Sequence, residues 1–125
     1  MLVEFKVNSS KVVIVNGDNK IMLIKIADKN IYDLPGGHRE PGETALDAAI
    51  REVAEEVGLD IFYVEELGSS GRKDFFTTRI FSGKIKLQEE EVSDYLWVDS
   101  SDVNSYNITD EVEKGVRFYC EKHTR

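Results

Sequence analysis

The stretch that decides the fold is residues 36–59, GGHREPGETALDAAIREVAEEVGL, in which a glycine-rich loop leads directly into a patterned helix. Apolar residues recur there at about 100° per residue, which predicts a buried stripe made of Leu46, Ile50, Val53 and Val57. Thr44 is the expected N-cap, Asp47 completes a capping box, and Gly58 suits a left-handed C-terminal position. The sequence therefore predicts a helix over about Ala45–Val57.

Three glutamates of this helix, Glu52, Glu55 and Glu56, follow the i, i+3, i+4 spacing and share a second stripe. Like charges at this spacing destabilise a helix by roughly 0.2–0.5 kcal/mol per pair. Mg²⁺ takes oxygen ligands and is commonly shared between carboxylates and substrate phosphates. Convergence of the three carboxylates on a divalent cation is therefore one interpretation, and an ordinary solvated helix face is the other. Arg51 lies off this stripe, where it can pair with Glu55 or reach back to Glu43 and fix the loop to the helix.

The spacing of these residues resembles the Nudix box. Gly37 is followed after five residues by Glu43, and after seven more by REVAEEVGL at Arg51–Leu59, which matches the box at every defined position. The resemblance implies a single Nudix hydrolase domain over residues 1–125. Its class is α+β (mixed α/β), with a mixed β-sheet sandwiched between α-helices. Members of this family hydrolyse a nucleoside diphosphate linked to another group, with Mg²⁺ or Mn²⁺ as the cofactor.

The resemblance also assigns roles to residues of the box. Metal ligands are expected at Glu52, Glu55, Glu56 and the backbone carbonyl of Gly36, with Glu52 or Glu56 also near the attacking water. Glycine at position 36 lets the backbone come close. Glu43 has two interpretations, a structural ion pair with Arg51 or a group that orients the ligands, and we favour the ion pair; Arg51 is likewise interpreted as structural.

A late acidic loop, Glu89–Glu91, is a further candidate, because relatives commonly recruit an additional ligand or general base from such a loop. Glu91 is the preferred member, since it is nearest the following strand. A solvated charge run is the alternative. His38 is interpreted as an ordinary loop residue.

Residues beyond the box bear on the substrate. The proline that accompanies ADP-ribose hydrolysis about fifteen positions downstream has no counterpart, since the chain has only Pro35 and Pro41. Where dinucleoside polyphosphate hydrolases carry a tyrosine, this chain has phenylalanine, which can stack on a base but donates no hydrogen bond. Because the chain lacks the markers of these two substrate classes, we favour a MutT-like enzyme. Such an enzyme cleaves a nucleoside triphosphate to a nucleoside monophosphate and pyrophosphate. Candidate substrate contacts are Tyr32, Phe75, Phe76 and Arg79, with core packing as the alternative for the aromatic residues.

Two other functions stay open. A dinucleoside polyphosphate or a nucleotide sugar would be cleaved by the same chemistry. A Nudix module that binds nucleotides without turnover belongs to a different class, and the intact box argues against it.

Composition limits the partners. The chain has 125 residues, 41% of them hydrophobic, and a net charge of −8 from 24 acidic and 16 basic side chains. This length indicates one domain with a real core. The acidity argues against binding duplex nucleic acid through its phosphates and otherwise serves solubility. The expected partner is a small nucleotide, and the chain is expected to be a monomer or a homodimer.

Cellular location is predicted from the cysteine content and the apolar segments. The single cysteine, Cys120, excludes an internal disulfide and suits a cytoplasmic protein. The segment Met1–Asn8 carries Glu4 and Lys6 where a signal peptide would be apolar. No apolar run approaches the length of a membrane span, so no membrane partner is expected.

The remaining elements follow from local patterns. A hairpin is predicted from Lys11–Val15 and Lys20–Ile26, whose nearly continuous apolar runs imply that both faces are covered. The turn or loop at 68–71 is followed by a strand that continues past a bend at Gly83. Other expected strands are Leu2–Val7, Ile31–Leu34, Ile61–Leu67, Asp74–Ser82 and Tyr95–Val98. A short helical turn ending at Tyr106 and a final helix from Thr109 to about Lys122 complete the chain.

Overall fold

The computed structural model describes residues 8–123, so the predicted strand Leu2–Val7 lies outside the described residues. The strands are β1 Ser9–Ile14, β2 Ile21–Ile26, β3 Tyr32–Asp33, β4 Gly36–His38, β5 Asp60–Ser70, β6 Lys73–Ser82 and β7 Val92–Val98. The helices are α1 Ala45–Val57 and α2 Asp110–His123, with a 3₁₀-helix at Ser100–Ser105. Among residues 8–123, no helix is long and apolar enough to cross a membrane.

The strands form two sheets. The first has the order β4-β1-β6-β5, in which β1 runs parallel to β6 while the other neighbours are antiparallel. The second is antiparallel and has the order β3-β2-β7. The first sheet brings β4, and with it the glycine-rich loop, to the edge beside β1.

The predicted hairpin of β1 and β2 is wrong. The two strands meet at a single bridge between Val15 and Ile21 and then enter different sheets. Both strands instead pair with strands that follow later in the chain, which satisfies their backbone groups without a hairpin ladder. The segment Asn16–Asn19 between the two strands forms a turn, but this turn does not determine which strands pair.

Two clusters of buried side chains lie on opposite faces of β1 and β2. The cluster that includes α1 contains Val12, Ile14, Met22, Ile24, Ala49, Val53 and Val57. The cluster that includes α2 contains Val13, Val15, Ile21, Leu23, Val112, Val116 and Tyr119. Successive residues of each strand alternate between the clusters, so both faces are covered, as the apolar runs predicted. Strands between two helices confirm the predicted α+β (mixed α/β) class, here with two sheets rather than one.

Helix α1 has the predicted bounds and caps. The Thr44 side chain accepts a hydrogen bond from the Asp47 backbone N–H, the Asp47 carboxylate accepts one from the Thr44 N–H, and Gly58 is left-handed with φ of 75°. The predicted buried stripe is only half right, because Leu46 and Ile50 are each 39% exposed. The helix instead packs through Ala48, Ala49, Val53, Glu56 and Val57. Small alanine side chains let the helix approach the strands closely, and that approach sets the buried face.

The second half of the chain departs from the prediction in three places. Strand β5 continues through the segment predicted as a loop at 68–70, and the turn falls at Gly71. Residues 83–87 form no strand, and they are held at the end of α1 by hydrogen bonds from Lys86 N–H to the Val57 carbonyl and from Gln88 N–H to the Glu56 carbonyl. Strand β7 begins at Val92, so the acidic loop is shorter than predicted.

Candidate active site

A cavity of about 390 Å³ opens where α1, β4, β2 and the loop before β7 meet. It is lined by Lys11, Ile24, Ile26, Asp33, Gly36, Gly37, His38, Glu52, Glu55, Glu56, Gln88 and Glu91. Five of these side chains are acidic, and they include all three glutamates of the predicted stripe. The fold therefore brings one end of the glycine-rich loop, the acidic face of α1 and the late loop to a single wall.

The two glycines of β4 are required by close contacts. Gly36 has φ of 139°, and a Cβ atom there would lie 2.0 Å from the Ser10 carbonyl oxygen on β1. A Cβ atom on Gly37 would lie 2.6 Å from the carboxylate of Glu52. The first glycine lets β4 pair with β1, and the second leaves room for a carboxylate at the cavity.

Glu56 is the buried member of the acidic stripe, with 8% exposure. Its Oε1 accepts a hydrogen bond of 2.8 Å from the backbone N–H of Gly36. Burial raises the pKa of Glu56 to about 8, although this hydrogen bond and the nearby charge of Lys11 favour the ionised form. The helix thus places a buried carboxyl group beside the glycine loop. The positive charge near this group is too small to offset the effect of burial on its pKa.

Arg51 connects the loop to the helix. It donates hydrogen bonds to both carboxylate oxygens of Glu43, at 2.7 and 2.9 Å, and to the His38 carbonyl at 3.0 Å. It also donates to Glu52 at 2.8 Å and to Glu55 at 3.2 Å. The bonds from Arg51, together with one from the Glu40 N–H, lower the pKa of Glu43 to about 2. Both contacts expected of Arg51 are therefore present, and the bidentate pair with Glu43 is the shorter one.

The predicted convergence of the three carboxylates is not present. Glu52 and Glu55 turn toward Arg51, whereas Glu56 turns toward the Gly36 N–H. Within residues 8–123, no three His, Cys, Asp or Glu side chains are gathered closely enough to hold a metal ion. The three side chains share the cavity wall, but Arg51 binds the carboxylates of Glu52 and Glu55, whereas the Gly36 amide binds Glu56.

Lys11 is a cavity residue that sequence reasoning missed. Its ammonium donates to Asp33 Oδ2 at 2.9 Å and lies 3.5 Å from the carbonyl oxygens of Leu34 and Gly36. Asp33 Oδ1 in turn accepts from Thr109 at 2.8 Å. The available signal was a lone charge within the otherwise uncharged strand β1, SSKVVI.

Of the remaining predicted site residues, some line the cavity and others do not. Glu91 lines the cavity, whereas Glu89 and Glu90 line a different surface depression. Phe75 and Phe76 are 1% and 4% exposed and belong to the two core clusters, so their rings are unavailable to a base and core packing explains them.

The other two candidate substrate contacts also lie away from the carboxylate cavity. Arg79 lines a second cavity, of about 180 Å³, and donates to the hydroxyl of Tyr119 at 2.7 Å. Tyr32 packs edge-on against Tyr106, with ring centroids 5.6 Å apart. Neither side chain lines the cavity that holds the three glutamates.

The chain is similar in sequence to a known protein family and to several curated proteins. A family model described as the NUDIX domain matches residues 6–120. The chain is 33% identical over 93 residues to the "Putative 8-oxo-dGTP diphosphatase" of Bacillus subtilis (strain 168), covering 70% of this chain and 62% of the relative. It is 28% identical over 106 residues to the NAD-capped RNA hydrolase NudC of Pseudomonas fluorescens (strain Pf0-1), covering 78% and 38%. The chain thus spans less than two thirds of the length of these relatives.

Solved structures share the fold over nearly the whole chain. The MutT NUDIX hydrolase from Burkholderia pseudomallei superposes with a TM-score of 0.80 at 20% identity, covering 91% of this chain and 98% of that one. The NUDIX domain of Shewanella oneidensis NrtR, solved with ADP ribose, gives a TM-score of 0.80 at 18% identity, covering 98% and 91%. At these identities the likeness establishes the fold.

Proposed function

The chain belongs to the Nudix family, and on that premise we propose that it hydrolyses a nucleoside triphosphate to a nucleoside monophosphate and inorganic pyrophosphate. The observation that carries the proposal is the shared cavity wall of Glu52, Glu55, Glu56 and Gly36. An acidic cavity is a poor site for a polyphosphate unless a cation neutralises the charge. The proposed reaction therefore depends on a metal ion.

We propose Mg²⁺ or Mn²⁺ as the cofactor, with the carboxylates of Glu52, Glu55 and Glu56 and the carbonyl of Gly36 as ligands. Every donor in this set is an oxygen, which suits a hard divalent cation. The raised pKa of Glu56 and the space that Gly37 leaves for Glu52 both support the fit. Glu91 is proposed as an additional ligand or general base, because it lies on the same cavity.

Arg51 and Glu43 support the site in this proposal. We propose that Glu52 and Glu55 turn from Arg51 toward the ion when it binds. The bidentate pair with Glu43 and the bond to the His38 carbonyl keep the guanidinium in place when that happens. Arg51 thus neutralises the carboxylates before the ion binds and fixes the loop afterwards.

The chemistry is an attack of water on phosphorus. When bound, the ion supplies positive charge to the phosphate oxygens and lowers the pKa of a water molecule. Glu52 or Glu56 accepts a hydrogen bond from the attacking water and orients it. The new oxygen–phosphorus bond forms on the nucleoside phosphate, the proton of the attacking water goes to the general base, for which Glu91 is the candidate, and pyrophosphate leaves with the electron pair of the broken bond.

Names of relatives support a nucleotide substrate. The Bacillus subtilis relative is named for 8-oxo-dGTP, and a mouse relative, 34% identical over 92 residues, is named "8-oxo-dGDP phosphatase NUDT18". NudC is named for NAD-capped RNA. We therefore retain dinucleoside polyphosphates and nucleotide sugars as the alternative substrates, since they carry the same diphosphate linkage.

A substrate panel with product identification tests the proposal. Nucleoside triphosphates (including oxidised ones), dinucleoside polyphosphates, nucleotide sugars and NAD are incubated with Mg²⁺, and the products are identified by phosphorus NMR. Release of monophosphate and pyrophosphate from a triphosphate supports the proposal, and release of neither contradicts it. Glu56→Gln is the inactive comparison, and Lys20→Met, which removes a surface ion pair with Asp99, is the matched control. Nucleotide binding without turnover would favour the non-catalytic module.

A further inference from the structure

Lys11 is a buried ammonium on the wall of the carboxylate cavity, and the mechanism above does not use it. It is 9% exposed and is the only lysine or arginine among the described residues that line the cavity. The same wall carries five acidic side chains. Within residues 8–123, a polyphosphate that enters this cavity therefore meets one cationic lining side chain.

The hydrogen bonds of Lys11 leave donors for a ligand. An ammonium has three N–H donors, and only the bond to Asp33 has a favourable length, 2.9 Å. The contacts with the Leu34 and Gly36 carbonyls are both 3.5 Å, at the outer limit for a hydrogen bond. A phosphate oxygen would be a shorter and charged acceptor for these donors.

The position of Lys11 relates it to the proposed metal ligands. The Lys11 ammonium lies 3.5 Å from the carbonyl oxygen of Gly36. The backbone N–H of Gly36 donates a hydrogen bond to Glu56. A buried ion pair such as Lys11–Asp33 contributes little net stability compared with apolar side chains of similar size. Its placement at the acidic wall is better explained by charge supplied to the ligand than by stability.

We propose that Lys11 contacts the phosphate oxygens of the substrate and supplies a second positive charge beside the divalent cation. Two cations that flank a phosphate act as a clamp on its oxygens, and here one of the two is a side chain. Asp33 is a positioning residue that aims the ammonium, and it is itself fixed by Thr109 and the Leu34 N–H. This inference rests on the proposed function, because it requires a phosphorylated substrate.

Equilibrium binding of inorganic pyrophosphate in the presence of Mg²⁺ tests the inference without relying on turnover. Calorimetry compares wild type with Lys11→Met, Asp33→Asn and Lys73→Met. Lys73 pairs with Glu111 at 2.6 Å outside the cavity, so its variant controls for loss of an ion pair and of one charge. We expect Lys11→Met to bind pyrophosphate about 10- to 100-fold more weakly, the range for a lost charge-assisted hydrogen bond.

Asp33→Asn separates the two roles of Lys11. Asparagine keeps an oxygen acceptor for Thr109 and leaves the ammonium in the cavity, but it weakens the ion pair that aims this ammonium, so we expect pyrophosphate binding to fall less than in Lys11→Met. Equal weakening in Asp33→Asn and Lys11→Met would mean that Lys11 serves only as the partner of Asp33, and would overturn the inference. If Lys11→Met alone fails to fold, the neutral double variant Lys11→Met/Asp33→Asn is compared with Asp33→Asn.

Turnover distinguishes this inference from the proposed function. If wild type cleaves a triphosphate and folded Lys11→Met matches it in KM, kcat and pyrophosphate affinity, this inference alone is wrong. If wild type cleaves no substrate of the panel but Lys11→Met still loses pyrophosphate affinity, the proposed reaction is wrong and the phosphate contact stands.

Discussion

The carboxyl group of Glu56 makes the stability of the metal-free protein depend on pH. Its pKa rises from 4.5 to about 8 on folding. Between these values the unfolded chain has lost this proton while the folded chain retains it, so stability falls as pH increases. The full effect, reached above pH 8, is about 4–5 kcal/mol at about 1.4 kcal/mol per unit. About 2 kcal/mol of that loss falls between pH 6 and pH 8.

Chemical denaturation in excess chelator, followed by the fluorescence of the single tryptophan, Trp97, measures this dependence. Glu56→Gln imitates the protonated form and keeps the bond from the Gly36 N–H. We therefore expect wild type to lose about 2 kcal/mol relative to Glu56→Gln from pH 6 to pH 8.

Two comparisons make this test specific. Glu55→Gln changes an exposed carboxylate and should follow the wild-type profile. Excess Mg²⁺ should remove the decline in wild type, because the ion favours the ionised carboxylate. Parallel profiles of wild type and Glu56→Gln in chelator would refute the reasoning.

Four further outcomes are expected. Glu55→Gln and Glu56→Gln should each slow turnover well over tenfold while remaining folded, where each factor of ten corresponds to about 1.4 kcal/mol of barrier. Equal metal-dependent rates in wild type and both variants would contradict the assignment of these residues. Chelator should abolish turnover, and undiminished turnover would exclude metal-dependent catalysis. Gly36→Ala should lose about 3 kcal/mol or more of stability, because its Cβ would lie 2.0 Å from the Ser10 carbonyl oxygen, and a wild-type melting temperature would disprove that contact. Phe75→Ala should lose about 3–5 kcal/mol without changing KM, whereas a raised KM with normal stability would identify a substrate contact.

Helix α1 could be predicted in detail because its determinants are local. Thr44, Asp47 and Gly58 act on the first and last turns of the same helix, so neighbouring residues suffice to identify the bounds. Arg51 and Glu43 are only 8 residues apart in the sequence, so their ion pair could also be predicted from nearby residues. These interactions do not depend on which strands the helix later meets.

Strand pairing and the buried face of α1 could not be predicted the same way. Strand β1 pairs with β6, more than fifty residues later, and no local pattern near Asn16 indicates this partner. The apolar Ile50 is exposed while Ala49 is buried, because the approach of α1 to the strands selects small side chains. Both features depend on tertiary packing.

The candidate site also combines features that local sequence predicts with features that depend on tertiary packing. Glycines and glutamates of the box mark the cavity wall, since their spacing brings them together on one loop and one helix. Lys11 and Asp33 join that wall only through the pairing of β1 with β4 and the position of β3. Phe75 and Phe76 occur at a suggestive distance from the box, yet the alternation of β6 directs their rings into the two core clusters.

The most direct test of the central claim is a crystal soaked with Mn²⁺ and a non-hydrolysable triphosphate analogue. We predict an anomalous density peak between Glu52, Glu55 and Glu56, with Arg51 retained by Glu43 and released by the other carboxylates. Ordered nucleotide with no peak there, and with Glu52 and Glu55 still bound to Arg51, would contradict the account.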